Sequence, residues 1–260
     1  MLTGRTVLLT GATGGLGGSL ARGLHAAGAS LVLTGRREAE LQALADEVSG
    51  RAVVADLSTG VEQLLASVGE VDVLVSNAAL PGTGAVASFT ADQVRRALDV
   101  NLTAAVSLAH GLLPRMLERR SGSLVFVSSL AGLTATPHTA LYNATKFGLR
   151  GFGLSLHEEL RGTGVGASVV LPGFVRDAGM YAETGLPSPK VFGTCTPDEV
   201  TDAVLTAIEK NPAEVLVGPV LSRVGARLGS MAPALAFRLQ RMGLIKGIGE
   251  QMAQAQQHKR

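Results

Sequence analysis

Short apolar runs rich in Val and Leu alternate along this chain with longer segments of helical period. There are seven such runs, in the order RTVLLT, SLVLT, RAVVA, VDVLVS, GSLVFVS, GASVVL and EVLVG. They lack the polar and apolar alternation of a half-exposed strand, which is typical of strands covered by helices on both faces. Right-handed crossovers between parallel strands build a doubly wound sheet. The pattern therefore predicts an α/β fold with one seven-stranded parallel sheet flanked by helices.

Helical periodicity fills the segments between these runs, and a length of 260 residues suits one domain. The last expected helix has a clear start, because Thr196 is followed by Pro, Asp and Glu. The expected helices cover residues 16–27, 37–48, 60–67, 91–118, 140–162 and 197–210.

A glycine-rich turn joins the first strand to the first helix, with the spacing Gly11-x3-Gly15-x-Gly17. Glycines let the backbone approach a pyrophosphate, and the amides at a helix N-terminus attract the anion. The alternative is that these are structural turn glycines. Their place between a first strand and a first helix favours a dinucleotide site and a Rossmann-type domain.

Two arginines, Arg36 and Arg37, follow the second strand, where sites that prefer NAD present an acid to the adenosine ribose. A helix start disfavours cations, so an anionic ligand would explain them. The 2′-phosphate of NADP is such an anion, and Arg36 is the first candidate because it directly follows the strand. The alternative is a pair of solvated surface arginines. The sequence thus predicts NADP(H) as cofactor.

Tyr142 and Lys146 lie four residues apart in a helical segment, so their side chains share one face. A fixed cation beside a phenol is expected to lower its pKa from about 10 toward the working pH. Ser129 ends the strand-like run SLVFVSS and could hydrogen-bond the same carbonyl oxygen. Each residue alone has an ordinary structural explanation. Together, downstream of a nucleotide loop, they predict a hydride-transfer enzyme.

From about residue 3 to 218 these motifs resemble the short-chain dehydrogenase/reductase family. TGATGGLG resembles its cofactor loop, Asp56-Leu57 its adenine-contacting pair, and Asn77-Ala78 the element after the fourth strand. The segment at residues 172–175 resembles its nicotinamide-contacting segment. The resemblance implies that the cofactor is bound by Gly11, Thr13, Gly14, Gly15, Leu16, Gly17, Asp56, Leu57, Asn77, Ala78, Tyr142, Lys146, Pro172, Gly173 and Val175.

The same resemblance implies a catalytic tetrad of Asn101, Ser129, Tyr142 and Lys146. Tyr142 would be the general acid/base, and Lys146 would lower its pKa and hold the nicotinamide ribose. Ser129 would orient the substrate, and Asn101 would support a proton-relay water. Read from its helical surroundings alone, Asn101 is expected at the surface or bonded to backbone.

Three positions depart from the family pattern. Ala79 replaces a usual glycine, and Thr145 stands where a smaller residue commonly precedes the lysine; neither is expected to touch the chemistry. Asp177 stands where Thr or Ser is frequent, and its carboxylate would repel a pyrophosphate unless it is turned away.

The interval 174–196 interrupts the alternation of strands and helices with several Gly and Pro residues. It is expected to form a mobile substrate lid, because it follows the sixth strand at the ligand-binding edge of the sheet. The alternative is a disordered surface loop. The substrate pocket is expected to be apolar, lined by Leu80, Leu130, Leu133, Phe174, Met180 and Tyr181.

The C-terminal extension at 219–260 is basic and amphipathic, with net charge +6 against −4 for residues 1–218. Its seven Lys and Arg residues are interleaved with Leu, Met and Val. We expect it to pack over the substrate cleft or against a neighbouring subunit. Peripheral contact with an anionic membrane is the alternative.

Composition excludes several other functions. A net charge of +2, 3% aromatic residues and no Trp argue against a nucleic-acid partner. Cys195 is the sole cysteine, so no intrachain disulfide forms, and the histidine spacing matches no metal motif. Apolar runs are shorter than the roughly 18 residues of a membrane span, which predicts a cytoplasmic protein. The 46% hydrophobic content favours a homodimer or homotetramer.

Three functions remain open from the sequence. The first is an NADP(H)-dependent oxidoreductase acting on the carbonyl or secondary alcohol of an apolar substrate, within a catalytic domain at 1–218. The second is a non-catalytic NADP(H)-binding sensor or scaffold of the same fold, because fold alone does not establish activity. The third combines the enzyme with the basic C-terminal extension in lipid metabolism at a membrane surface.

Overall fold

The computed structural model of the protein describes residues 2–187, 192–239 and 248–256. Seven parallel strands form one sheet in the order β3-β2-β1-β4-β5-β6-β7, which confirms the predicted architecture. Their bounds are β1 Thr6–Thr10, β2 Ser30–Gly35, β3 Arg51–Val54, β4 Val73–Ser76, β5 Gly122–Val127, β6 Val165–Pro172 and β7 Glu214–Val217.

Helices cover both faces of the sheet. Those of the main body are α1 Gly17–Ala26, α2 Glu38–Glu47, α3 Val61–Val68, α4 Ala91–Leu98, α5 Ala104–Glu118, α6 Ala140–Glu159, α7 Gly179–Ala182 and α8 Pro197–Lys210. After β7 follow α9 Val220–Met231, α10 Pro233–Leu239 and α11 Ile248–Ala255.

Two large apolar cores separate the layers. Alternate residues of β1 point into different cores, with Val7 and Leu9 packed under α1, α2 and α8, and Leu8 packed under α3, α5 and α6. Such strands cannot alternate polar with apolar residues, because both faces are buried. This packing explains the unbroken apolar runs in the sequence.

The expected helix at 91–118 is interrupted. A π-helical turn at Asp99–Thr103 separates α4 from α5, and the backbone N–H of Ala104 donates to the carbonyl of Asp99. A π turn inserts one extra residue into the helix and is frequent near functional sites. Here it coincides with Asn101, whose buried side chain bonds the backbone of the loop after β4.

The chain leaves β1 and β4 in opposite directions, although the two strands are neighbours in the sheet. This switch point opens a crevice beyond their carboxyl ends, where ligands of doubly wound sheets bind. The loops after β1, β2, β4, β5 and β6 all reach that edge.

The expected lid at 174–196 contains the short helix α7 and a bridge between Val175 and Cys195. Residues 188–191 of the lid lie outside the described residues, as do 240–247 and 257–260 of the C-terminal extension. Within the described ranges, no helix is long and apolar enough to cross a membrane.

Candidate active site

A cavity of about 1360 Å³ occupies the switch point. It exceeds the roughly 300–1,000 Å³ of an ordinary ligand pocket, as a site for both a dinucleotide and a substrate requires. Of the expected cofactor residues it is lined by Gly11, Thr13, Gly14, Gly15, Leu16, Arg36, Arg37, Asp56, Leu57, Asn77, Ala78, Tyr142, Lys146, Pro172, Gly173 and Val175.

The glycine loop forms a tight backbone cradle at one end of the cavity. Gly11 has φ 66°, and a side chain there would put its Cβ 2.7 Å from the Cα of Ala78. Gly17 does not line the cavity; it is buried beneath the loop, where a Cβ would overlap the carbonyl oxygens of Gly11 and Ala12. The cradle therefore fits a ligand that contacts backbone, as a pyrophosphate does.

The end of β4 is fixed to this cradle by hydrogen bonds. The backbone N–H groups of Asn77 and Ala78 donate to the Thr10 hydroxyl at 3.0 and 3.1 Å. The Asn77 amide also donates to the carbonyls of Thr10 and Gly11. Asn77 thus holds the two strands of the switch point together.

The two arginines after β2 have different surroundings. Arg37 donates to the carbonyl of Thr13 and forms an ion pair with Glu40 at 2.8 Å. Arg36 is exposed at the rim of the cavity. Among the described residues, no hydrogen bond or ion pair engages its side chain, so its guanidinium can receive an anion.

Asp56, expected to contact adenine, is held by two neighbours. Burial alone would raise the pKa of its carboxyl, but hydrogen bonds from Ser58 and Arg96, with the charge of Arg96, hold that pKa at about 2. Arg96 lies 2.7 Å from the carboxylate. Asp56 is therefore ionised at neutral pH and is a fixed hydrogen-bond acceptor.

The structure brings Ser129, Tyr142 and Lys146 together at the other side of the cradle. The Ser129 hydroxyl donates to the Pro172 carbonyl at 3.3 Å and accepts from the Ala131 N–H at 3.1 Å, and it is close enough to the Tyr142 phenol to lower the pKa of that group. The Lys146 ammonium lies 5.7 Å from the centre of the Tyr142 ring and donates to the carbonyl of Val127 at 2.9 Å. A hydroxyl, a phenol and a cation therefore face one space.

The pKa of the phenol differs from the expectation drawn from the sequence. Burial raises the pKa of Tyr142 to about 12, against a lowering by the nearby Ser129 hydroxyl, so the expectation of a lowered value is wrong for this protein. Burial also lowers the pKa of Lys146 to about 8. The reason is the same for both groups, because removal from water disfavours whichever form is charged. Tyr142 is accordingly protonated at neutral pH.

Lys146 makes a testable contribution to stability. Its folded pKa of about 8 lies below the ordinary 10.5, so the unfolded chain binds more protons between these values and the free energy of unfolding rises with pH there. The buried charge opposes folding at pH 7 by on the order of 3 kcal/mol. We expect Lys146→Met to stabilise the protein at pH 7 and to remove this rise of the free energy of unfolding with pH. Chemical denaturation at pH 7 and at the upper end of the range, near pH 10.5, measures both effects. Exposed Lys210→Met is the control, and an unchanged pH slope in Lys146→Met would contradict the assignment.

Asn101 does not line the cavity. It is 1% exposed, accepts from the Leu80 N–H at 2.6 Å and donates to the Leu80 carbonyl at 2.9 Å. Its amide also lies 3.4 Å from the Thr145 hydroxyl, which donates to the Tyr142 carbonyl. The structure therefore places Asn101 as a support for the loop after β4. Thr145 was not expected to touch the chemistry, yet it links this support to helix α6 beside Tyr142.

The Asp177 side chain was expected to repel a pyrophosphate unless it is turned away. Asp177 has φ 66°, is exposed and pairs with Arg176 at 3.4 Å, and it is not among the residues that line the cavity. Its carboxylate is therefore turned away from the cradle.

Leu133 was expected in the substrate pocket, but it is buried in a separate core with Val169 and Leu171, so this expectation is wrong.

The lid rests directly on the glycine loop. A Cβ on Gly15 would overlap the backbone of Gly179 at the start of α7, so Gly15 must lack a side chain for this approach. Gly179 has φ 85°, a conformation that favours glycine. The rings of Phe174 and Tyr181 pack at a tilt of 52° with their centres 4.8 Å apart, and the Tyr181 hydroxyl donates to the carbonyl of Pro187. The expected apolar residues Leu80, Leu130, Phe174, Met180 and Tyr181 line the cavity beneath the lid.

Other reactive groups in the described residues lie outside this arrangement. Cys195 is buried, and burial raises the pKa of its thiol. Within the described part of the chain, no cluster of His, Cys, Asp and Glu could hold a metal ion.

A doubly wound parallel sheet with a glycine cradle at its switch point is typical of dinucleotide-binding proteins. The family model described as short chain dehydrogenase matches residues 5–186. The chain therefore belongs to the short-chain dehydrogenase/reductase family, which confirms the resemblance drawn from its motifs.

Relatives span almost the whole chain. The ketoacyl reductase HetN of Nostoc sp. is 36% identical over 256 residues, covering 92% of this chain and 89% of the relative. A short-chain dehydrogenase from Sphingobium yanoikuyae, solved with NADPH, has a TM-score of 0.74 and 27% identity, covering 94% of this chain and 96% of that chain. A 3-oxoacyl-(acyl-carrier protein) reductase from Brucella melitensis with bound NAD has a TM-score of 0.72 and 28% identity, covering 83% and 91%.

Proposed function

We propose that this protein is an NADP(H)-dependent reductase that delivers a hydride to the carbonyl carbon of an apolar substrate, and a proton to its oxygen. The observation that carries the proposal is the Tyr142 phenol. It is protonated at neutral pH and lies near Ser129 and Lys146, in the cavity that also contains the glycine cradle. A protonated phenol at this place suits donation of a proton to a carbonyl oxygen.

Ser129, Tyr142 and Lys146 have separate roles in the proposed reaction. The nicotinamide, when bound, supplies the hydride. Tyr142, and Ser129 once its hydroxyl turns from the Pro172 carbonyl, would each donate a hydrogen bond to the carbonyl oxygen, and these bonds strengthen as negative charge develops on it. Tyr142 transfers its proton to that oxygen and becomes a phenolate, which the Lys146 ammonium stabilises. The reverse sequence oxidises a secondary alcohol.

The cofactor preference is proposed from Arg36. One related structure contains NADPH and another contains NAD, so these relatives do not decide which cofactor this chain prefers. Arg36 is exposed at the cavity rim, whereas Arg37 is engaged by Thr13 and Glu40. A guanidinium in this position can pair with the 2′-phosphate, which NADH lacks.

Arg36→Ala should weaken NADPH binding by about 10- to 100-fold and leave NADH binding nearly unchanged, because only the pair with the phosphate is lost. Titrations followed by nicotinamide fluorescence give the dissociation constants for NADPH and for NADH. Arg37→Ala is the matched comparison, with a smaller effect expected on NADPH. Equal affinity of the wild type for the two nucleotides would contradict the proposed preference.

The proposed substrate is a ketone on an apolar chain. Leu80, Leu130, Phe174 and Met180 line the cavity around Tyr142, and an apolar lining favours apolar ligands. The names of the Nostoc and Brucella relatives suggest 3-oxoacyl compounds as the first class to test. NADPH consumption with 3-oxoacyl thioesters of increasing chain length, beside simple apolar ketones, tests this directly. No consumption with any of them would contradict the proposed reductase.

The partners of the C-terminal extension stay predictions. Helix α9 turns Ser222 and Ala226 inward and exposes Val224, Leu228 and Met231 to solvent. This outer face is compatible with a second subunit or an anionic membrane. Sedimentation with anionic vesicles and measurement of solution mass would distinguish them.

A further inference from the structure

Helix α11 lies across three of the loops that surround the cavity. At its start, a Cβ on Gly249 would overlap the carbonyl oxygen of Pro137, in the loop after β5. At its end, Gln256 reaches the loop after β4 and the lid. Met252 lines the cavity between these two contacts. The helix therefore forms part of the cavity wall.

Gln256 makes the most specific of these contacts. Its side chain is buried, with 3% of the residue exposed. The Thr83 hydroxyl donates to its carbonyl oxygen at 2.7 Å, and its amide nitrogen donates to the carbonyl of Met180 at 2.7 Å. A backbone carbonyl can only accept a hydrogen bond, so the side-chain nitrogen of Gln256 must face Met180 and its side-chain oxygen must face Thr83. One side chain thus joins a fixed loop to the lid.

Two contacts hold adjacent residues at the start of α7 as a result. Gly179 rests on Gly15 of the cofactor cradle. Met180, the next residue, is bound by Gln256. Met180 also lines the cavity, so a shift of α7 changes the space available to a substrate.

We propose that Gln256 is a positioning residue, which fixes Met180 and α7 against α11 and thereby shapes the part of the pocket that receives the distant end of an apolar substrate. The inference rests on the proposed reductase function. A small ketone would occupy only the space beside Tyr142 and Ser129. A long acyl chain would reach the wall that α11 and Met180 form.

Gln256→Ala should raise KM for a long 3-oxoacyl thioester by about tenfold, because two buried hydrogen bonds are lost. The kcat for that substrate, and both constants for a small ketone, should stay within about twofold, since Tyr142 and its partners are untouched. Gln254→Ala, an exposed glutamine on the same helix, is the matched control.

A second readout follows the lid without catalysis. Trypsin cleavage after Arg176, which is exposed beside the lid helix, should accelerate about tenfold in Gln256→Ala because the lid opens more often. Gln256→Glu keeps the acceptor for Thr83 and loses the donor to Met180, so its lid should be cleaved as fast as that of Gln256→Ala. Thr83→Val loses the other bond and should have a smaller effect.

These measurements separate the two proposals. If the wild type reduces no carbonyl, the proposed function fails, while lid cleavage in the variants still tests the role of Gln256. Cleavage at the wild-type rate in both Gln256 variants would overturn that role. A KM that rises equally for short and long substrates would overturn it as well.

Discussion

Tyr142→Phe should lower kcat for carbonyl reduction by about 10³-fold, because the phenol is the proposed proton donor and general acids contribute roughly 10²- to 10⁴-fold. Removal of one hydroxyl leaves the ring packed in place and the glycine cradle intact, so the dissociation constant for NADPH should change little. Steady-state turnover and fluorescence titration of the two proteins test both expectations.

The second tyrosine of the chain provides the comparison. Tyr181 also lines the cavity, but its hydroxyl donates to the carbonyl of Pro187 in the lid. Tyr181→Phe therefore loses a phenol without losing the proton donor, and its kcat should fall less than about tenfold. If Tyr142→Phe retained wild-type turnover, Tyr142 would not be the acid. A wild type that binds NADPH and turns over no substrate would favour the sensor alternative.

Gly11→Ala should lower the free energy of unfolding by about 3 kcal/mol and weaken NADPH binding by more than about 100-fold. An alanine at φ 66° is strained by about 1 kcal/mol. Its Cβ would also lie 2.7 Å from the Cα of Ala78, and this overlap costs about 1–3 kcal/mol. Since Ala78 follows β4, the switch point must open to admit the methyl group. Chemical denaturation and nucleotide titration measure the two effects.

A glycine elsewhere controls for the substitution itself. Gly151 lies on the exposed face of α6, and a Cβ there meets nothing within 4 Å. Gly151→Ala should stabilise the protein by about 0.5–1 kcal/mol, because alanine favours a helix more than glycine does. A Gly11→Ala protein as stable as the wild type would show that the cradle tolerates a side chain.

The sheet could be predicted because its determinants are local. Buried parallel strands require unbroken apolar runs, and each of the seven runs is a strand. The neighbourhood of Tyr142 and Lys146 was equally accessible, since residues four apart share a helical face. The glycine cradle and Arg36 could be placed because they follow directly after β1 and β2.

The remaining features depend on contacts between distant segments. The π turn accompanies the bonds of Asn101 to Leu80, and no local periodicity encodes such a pair. The contact between Thr83 and Gln256 joins residues 173 positions apart. The raised pKa of Tyr142 follows from the burial of its phenol. The presence of a lysine four residues away in the sequence therefore did not determine whether that pKa is raised or lowered.

The position of α11 has a consequence for how substrate choice can diverge among related enzymes. The family model ends at residue 186, whereas α9, α10 and α11 follow it. The glycine cradle and the proposed proton donor lie within the matched segment, whereas the part of the pocket wall that α11 forms lies beyond it. Exchange of the C-terminal segment between homologues should therefore retarget such an enzyme to a new substrate while its redox chemistry is inherited unchanged.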